Sequence, residues 1–417
     1  MTKKKILLVL WVILCILTCA HAGTSADTDT GVTVTGIEPV ISGNPGTNGV
    51  TIAWQVSPID ESVESYYSPY LTTDRNGRPH ICFTVKRNEF DYSLLYATQV
   101  RGVWKVETVD DQSSVLREAQ VVTDQSGYPH IIYGYLLDGV SAEYGIKYAH
   151  KDRFGWHTET LTTIGQTYGN PAIAVDIRGT PHIAYISFPE GGLNYAKKTS
   201  HGWDIITVDT SGSMAWPVIR LDRNGDPRIV YTLMETWYNR GKWYAERDSS
   251  GWHTEQLDSN YSGRYAGFDL DLLGTPHVAF MRTTGSSMDS EIVYITKGRS
   301  GWHYETVANG EPGEYVSLAV RNTGDPGIGY SRSNSMGITE SVEYVWNSNR
   351  GWQYETVGTT VDYGTIISGN PVAFGSGTQA YMVFSTNFGD IEGESGVLWS
   401  AVRTFGLSSP VPPDPPQ

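Results

Sequence analysis

The 417-residue chain is poor in cysteine, in basic charge and in long apolar runs. Its cysteines are Cys15, Cys19 and Cys82. The first two fall in an N-terminal stretch that reads as a secretory leader, so an exported chain keeps Cys82 alone and has no internal disulfide. Thirty Lys and Arg stand against 45 Asp and Glu, a net charge of −15. Polyanions are held by clustered Lys and Arg that release counterions, so nucleic acid is not an expected partner. Beyond the leader, no apolar run approaches the ~20 residues that cross a bilayer as a helix. What is plentiful is core and turn material: 45 Gly, 26 Tyr and 13 Trp. A disordered chain carries no such load of aromatics.

The leader is built from Lys3, Lys4 and Lys5, an apolar run from Ile6 to Leu17, and the small-x-small site Ala20-His21-Ala22. Cleavage after Ala22 removes three lysines and no acid, which takes the net charge to −18. The mature protein is expected to be soluble and either secreted or periplasmic, with no integral membrane segment. Lipidation at Cys19 is a weaker reading, because bulky Thr18 precedes it.

A repeat dominates the rest of the chain. The segment from Asp74 to Ile81, Asp-Arg-Asn-Gly-Arg-Pro-His-Ile, returns from Asp124 to Ile131, from Asp176 to Ile183, from Asp222 to Ile229 and from Asp271 to Val278. A degraded copy runs from Arg321 to Ile328, and the motif prolines at 79, 129, 181, 227, 276 and 326 lie 46 to 52 residues apart. A Tyr-Ala landmark follows at Tyr96, Tyr148, Tyr195 and Tyr244, with Tyr294-Ile295 and Tyr344-Val345 as variants. A Trp with Glu three residues on comes next: Trp104/Glu107, Trp156/Glu159, Trp252/Glu255, Trp302/Glu305 and Trp352/Glu355, while Trp203 carries Ile206 instead.

Each unit thus holds four short β-rich runs between turn residues, as in 172–175, 182–186, 193–197 and 203–208. Four strands per roughly 50 residues, without helical periodicity, predict the blades of an all-β propeller. Beyond Trp352 a further unit supplies three strands, at 370–374, 380–384 and 397–400, and no Gly-Trp strand. An orphan strand at 50–56 is expected to complete it, giving seven blades and hiding two edges that would template aggregation. The expected domains are a leader (1–22), an N-terminal extension (23–46), the propeller (47–406) and a Pro-rich tail (407–417).

The Asp-x-x-Gly-x-Pro-His-Ile-x-Tyr unit, with its Tyr-Ala and Gly-Trp strands, resembles the sialidase-like extracellular repeat propellers (the BNR type). That superfamily includes sialidases, some polysaccharide lyases and propeller lectins. The resemblance spans about residues 47 to 406 and implies the fold. It does not choose an activity. No copy reads Ser-x-Asp-x-Gly-x-x-Trp, the turn signature of sialidases, which argues against sialidase activity.

Residues present in every blade read as structural, because an active site is needed once. The motif Asp can accept turn amides and the Gly supplies positive φ. A calcium loop needs more oxygen ligands than Asp74/Asn76 or Asp222/Asn224 offer. His80, His130, His182 and His277 hold equivalent places in different blades and are expected to cap turns or pack between blades. No metal or other cofactor is expected. The repeated Trp reads better as blade-to-blade packing than as a sugar platform. Cys82 sits where other blades carry Ala184 or Ala279, a buried small position.

Function is then sought where the repeat does not dictate the residue. Six to eight positions before each turn motif the chain enters a new blade at the channel mouth, at Tyr66/Tyr67, Arg117/Glu118, Tyr168, Trp216, Arg264/Tyr265 and Glu314/Tyr315, with Tyr363 in the last unit. Second strands end on the same side, with Lys86, Arg87, Glu235, Trp237, Arg282 and Arg332. The candidate ligand-binding set is Tyr67, Arg117, Tyr168, Trp216, Arg264, Tyr265, Arg282, Tyr315 and Arg332. Aromatic faces beside Arg suit a sugar or an acidic glycan.

The leading expectation is a monomeric binding protein for an extracellular glycan or surface protein. A carbohydrate-active hydrolase or lyase is the alternative, and an envelope or adhesion scaffold the third. An enzyme requires a deep pocket with a carboxylate or Tyr of perturbed pKa beside Arg. A lectin with a site in each blade requires several equivalent aromatic pockets. Loss of Arg264 and Arg282 together is expected to remove acidic-glycan binding at little cost in stability. Asn260-Tyr261-Ser262 forms a glycosylation sequon.

Overall fold

The computed structural model describes residues 54–405 apart from the segments 61–65, 88–91, 112–113, 138–143, 166–170, 188–191, 237–238, 261, 284–289, 310–311, 335–338, 349, 360–364, 376–378 and 388–395. The expected leader, N-terminal extension and Pro-rich tail lie outside the described residues. Within them the chain is all-β, seven four-stranded antiparallel sheets arranged as a seven-bladed propeller. Blades 1 to 6 span residues 66–110, 114–165, 172–209, 213–258, 262–309 and 312–359. Each runs from its inner first strand to its outer fourth in chain order. No helix among the described residues is long and apolar enough to cross a membrane.

Blade 7 combines residues 365–404 with the N-terminal strand Gln55–Asp60, whose Gln55 faces Val402 and whose Asp60 faces Leu398. The closure expected from sequence is therefore present, but the strand lies later than 50–56. Of that expected run, only Trp54 to Val56 fall in the described residues. Trp54 is buried and meets Tyr344 of blade 6 edge-on at 5.1 Å between centroids. It thus fills the place of the Gly-Trp aromatic that blade 7 lacks in its own repeat. Both Trp54 and Thr404 lie at the end of the propeller that carries the Asp-Gly turns, because the strands they adjoin run antiparallel to each other.

The repeated motif folds as the composition of its turn dictates. Asp74 Oδ1 accepts the amides of Asn76 and Arg78, both at 2.9 Å, and Gly77 donates to the Asp74 carbonyl with φ at 77°. Asp124, Asp176, Asp222 and Asp271 repeat this pattern. An L side chain at Gly77 would pay for that positive φ.

The motif histidine links the turn to the blade. His130, His182 and His277 bond through Nδ1 to Tyr148, Tyr195 and Tyr294 at 2.5, 2.6 and 2.5 Å, and His80 bonds Tyr96 likewise. Their Nε2 atoms approach the turn aspartates at 3.6 to 3.9 Å. The next blade's Trp closes each chain edge-on, with Trp156 on Tyr96 at 5.3 Å, Trp203 on Tyr148 at 5.5 Å and Trp252 on Tyr195 at 5.4 Å. The repeated Trp is a packing residue, and its Glu serves the same joint: Glu107 takes Lys151 and Trp156 Nε1 from blade 2. Cys82 is fully buried, and burial pushes its thiol pKa far up, leaving it inert.

Candidate functional site

The channel wall is made of the seven inner strands. In six blades the inner strand slips out of register with the second strand near its start, between Tyr67/Tyr70, Val115/Ala119, Ala215/Val218, Ser262/Ala266, Pro312/Val316 and Gly369/Val372. Such bulges re-aim side chains and interrupt the ladder. Ser68 and Trp216 take left-handed φ of 45° and 49° directly before Pro69 and Pro217. Non-glycine residues there cost on the order of 1–3 kcal/mol each, and such strain gathers at working sites.

At the mouth these bulges bring together residues that are remote in sequence. Tyr265 Oη of blade 5 donates to Glu118 Oε1 of blade 2 at 2.8 Å. Tyr315 stacks on Tyr265 at 4.6 Å between centroids with the rings 16° apart. Trp216 tilts against Tyr265 at 6.0 Å, and the Arg264 guanidinium lies 5.9 Å from the Trp216 ring centroid. A cavity of about 180 Å3 opens among them, with Glu118, Gln120, Trp216, Tyr265 and Tyr315 in its wall. Gln120 Oε1 is buried there with no hydrogen-bond partner among the described residues, an acceptor available to a ligand hydroxyl.

The electrostatics follow from this burial. Burial raises the pKa of Glu118 above the ordinary carboxylate value, against the hydrogen bond from Tyr265 and the pull of Arg264. Burial, the Glu118 charge and the neighbouring Tyr315 hold Tyr265 protonated well above the usual phenol range. A raised carboxyl hydrogen-bonded to a phenol, with a guanidinium at its side, can exchange a proton with a bound molecule and meet a negative charge on it.

The cavity has a floor. Arg220 of blade 4 donates to Asp269 Oδ1 at 3.2 Å and lies close enough to Tyr70 of blade 1 to interact with it electrostatically, while Asp269 Oδ2 accepts the Val320 amide at 2.9 Å. Burial opposes the Arg220 charge, but Tyr70 and Asp269 outweigh it and its pKa lies above the ordinary value. Below this waist a second space of about 390 Å3 lies among Thr72, Thr73, Thr123, Val175, Val320 and Phe374.

Of the candidate set, Trp216, Tyr265 and Tyr315 line the cavity, and Arg264 is exposed at its edge. Arg282 does not line it. It forks onto Asp258 Oδ2 at 2.9 Å and Glu291 Oε1 at 2.6 to 2.7 Å, which ties blade 5 to blade 4. Arg332 does not line the cavity either. Tyr168 and the side chains of Tyr67 and Arg117 lie outside the described residues, as do the side chains of Tyr66, Glu235, Trp237, Glu314 and Tyr363. Sequence reasoning named Glu118 only as a neighbour of Arg117, and it did not reach Gln120, Tyr70, Arg220 or Asp269. The alternation Glu118, Gln120 on a strand facing the channel was the available signal. Among the described residues no group of three or more His, Cys, Asp or Glu could hold a metal ion.

No protein-family model and no curated protein sequence matches the chain. Solved structures do. A Dyadobacter fermentans DSM 18053 protein of unknown function superposes with a TM-score of 0.50 at 11% identity, over 84% of this chain and 99% of that one. The polysaccharide lyase Uly1 gives 0.52 at 9% identity, over 87% and 94%. A Hadza microbial sialidase, Hz136, gives 0.45 at 12% identity, over 83% and 68%. At these identities the likeness is one of fold, and the chain shares with the first two a propeller that runs through nearly their whole length.

Proposed function

We propose that the protein acts on an extracellular glycan at a single site in the channel mouth, with Glu118 and Tyr265 as its proton-exchanging pair. The observation that carries this reading is the 2.8 Å hydrogen bond between the two residues beside Arg264. A carboxyl and a phenol with raised pKa values beside a guanidinium support an enzyme over a lectin with a site in each blade. The per-blade lectin reading loses its support, because Trp156, Trp203, Trp252, Trp302 and Trp352 are packed against the tyrosine of the preceding blade. A glycan-cleaving function is also in keeping with the fold shared with a polysaccharide lyase. Export through the leader ending at Ala22 would bring the mouth to its substrate.

In this reading Trp216 and Tyr315 offer apolar faces to a sugar ring, Gln120 accepts a hydroxyl, and Arg264 meets an acidic substituent. A cavity of about 180 Å3 takes one ring or substituent and leaves the rest of the glycan outside. Binding without chemistry is the second reading, favoured by the stacked Tyr265–Tyr315 pair that forms a ready platform.

The test is incubation of the mature chain with neutral and uronate-bearing polysaccharides, read by new reducing ends and by absorbance of unsaturated uronates. Cleavage that disappears in Glu118→Gln and Tyr265→Phe supports the enzyme. Retention of a glycan without cleavage supports the binding reading. Neither retention nor cleavage of any polysaccharide overturns both.

A further inference from the structure

We infer that Lys242, buried beneath the mouth, is a positioning residue that holds the Trp216 and Arg264–Tyr265 bulges in the arrangement described above. The inference rests on the mouth being the working site.

Lys242 is fully buried. It lies two residues before Tyr244 in the third strand of blade 4, in register with Thr232. The corresponding position, two before the landmark tyrosine, holds Leu94, Ile146, Leu193, Ile292 and Val342 in the other blades, all fully buried. A cation in a row of aliphatic residues costs desolvation free energy, and it persists only where polar partners compensate. The partners here are specific. Nζ donates to Thr232 Oγ1 at 2.6 Å, to the Gly263 carbonyl at 2.6 Å and to the Arg264 carbonyl at 3.2 Å. Thr232 Oγ1 in turn donates to the Arg264 carbonyl at 3.3 Å.

These carbonyls belong to the stretch of blade 5 that the bulge between Ser262 and Ala266 removes from the ladder. Backbone acceptors left by a bulge must find other donors when buried. Lys242 supplies them, and so fixes the peptide from which the Arg264 and Tyr265 side chains leave. Thr232 also pairs with Ala215, the last residue in register before the Trp216 bulge of blade 4. One ammonium thereby anchors both bulges whose side chains meet at 5.9 and 6.0 Å in the mouth. An aliphatic residue, as in the other blades, would fill the volume but take the ammonium donor from the Gly263 carbonyl and leave the Arg264 carbonyl to Thr232.

The test uses the mature protein produced with fluorotyrosine, the Tyr265 fluorine resonance being identified by its loss in Tyr265→Phe. Lys242→Leu and Lys242→Met are expected to fold, to shift or broaden the Tyr265 resonance beyond its linewidth, and to leave the other resonances in place. Lys242→Arg, which keeps a donor, is expected to restore most of the native position. Thr232→Val, which removes one member of the network, gives the same readout with a smaller shift should the lysine variants fail to fold. An unmoved Tyr265 resonance in every folded variant overturns the positioning role. Because the spectrum reads geometry and not turnover, that result is separate from a failure of the glycan reading.

Discussion

Tyr265 donates a hydrogen bond to Glu118 across the mouth of the channel, although 147 positions separate them in the chain. Two blades that are not neighbours in the ring are thus joined by a hydrogen bond between a phenol and a carboxyl.

Removing either partner should separate chemistry from binding. Glu118→Gln keeps an acceptor for Tyr265 but cannot take up or release a proton, so turnover should fall by about 100-fold or more while retention of a polysaccharide changes little. Tyr265→Phe should raise the Glu118 pKa further, because the lost hydrogen bond favours the charged form. Initial rates against pH for the two variants check both statements. Equal rates in wild type and Glu118→Gln would remove the carboxylate from the chemistry.

The two arginines once grouped together should behave differently. The Arg264 side chain is itself exposed, so Arg264→Ala should weaken acidic-glycan binding at a smaller cost in melting temperature than Arg282→Ala. Arg282→Ala strands Asp258 and Glu291, of which Asp258 has 4% side-chain exposure, and should cost roughly 1–3 kcal/mol. The expectation that the double variant keeps its stability is corrected by those ion pairs. Differential scanning calorimetry of the single variants would detect the difference, and equal melting temperatures would contradict it.

Acid should weaken the fold through the histidines. Burial lowers His80, His130 and His182 to a pKa of about 4 from an ordinary 6.5, so the folded blades keep them neutral. The unfolded chain takes up those protons first as the pH falls through 6.5, and stability drops until the folded groups also protonate near pH 4. The loss approaches roughly 3 kcal/mol per histidine at its limit. Denaturant midpoints measured between neutral and mildly acidic pH should decline steadily, and His182→Gln should flatten the decline. A midpoint constant across that window would show that the histidines are not held neutral.

The N-terminal latch carries its own signature. Trp54→Ala opens a cavity against Tyr344 and should destabilise the propeller by about 3–5 kcal/mol. Urea unfolding of the variant, with Trp104→Ala as a second packing Trp for comparison, would test this. No change for Trp54 with a large change for Trp104 would mean that the latch is dispensable.

The repeat made the blades legible because each landmark has a local cause: the Asp–Gly turn, the His–Tyr bond and the Trp that covers it. Even the seventh blade could be assembled from three strands and an orphan. Its boundary shifted because the sequence around Trp54 satisfies strand preference on both sides, while only pairing with residues 398–402 selects Gln55–Asp60. The mouth was legible as a place and not as a set of contacts. A bulge changes the alternation of side chains by one residue, so counting back from the turn reached Arg117 as readily as Glu118. Arg282 looked like a rim cation because its carboxylates, Asp258 and Glu291, come from other strands and only the register brings them to it. Lys242 was visible in principle, as the one charged residue in a column of aliphatics two places before each landmark tyrosine.

The latch also sets the order of events in the life of the chain. Blade 7 takes its outer strand from Gln55–Asp60 and its remaining strands from residues 365–404. During synthesis the strand Gln55–Asp60 therefore waits for strands made more than 300 residues later before it can pair. Six blades can assemble vectorially, each on the one before, but the circle closes in a single late step of very high sequence separation. Until then blades 1 and 6 each present an open face, and residues 365–404 are the segment whose arrival covers both.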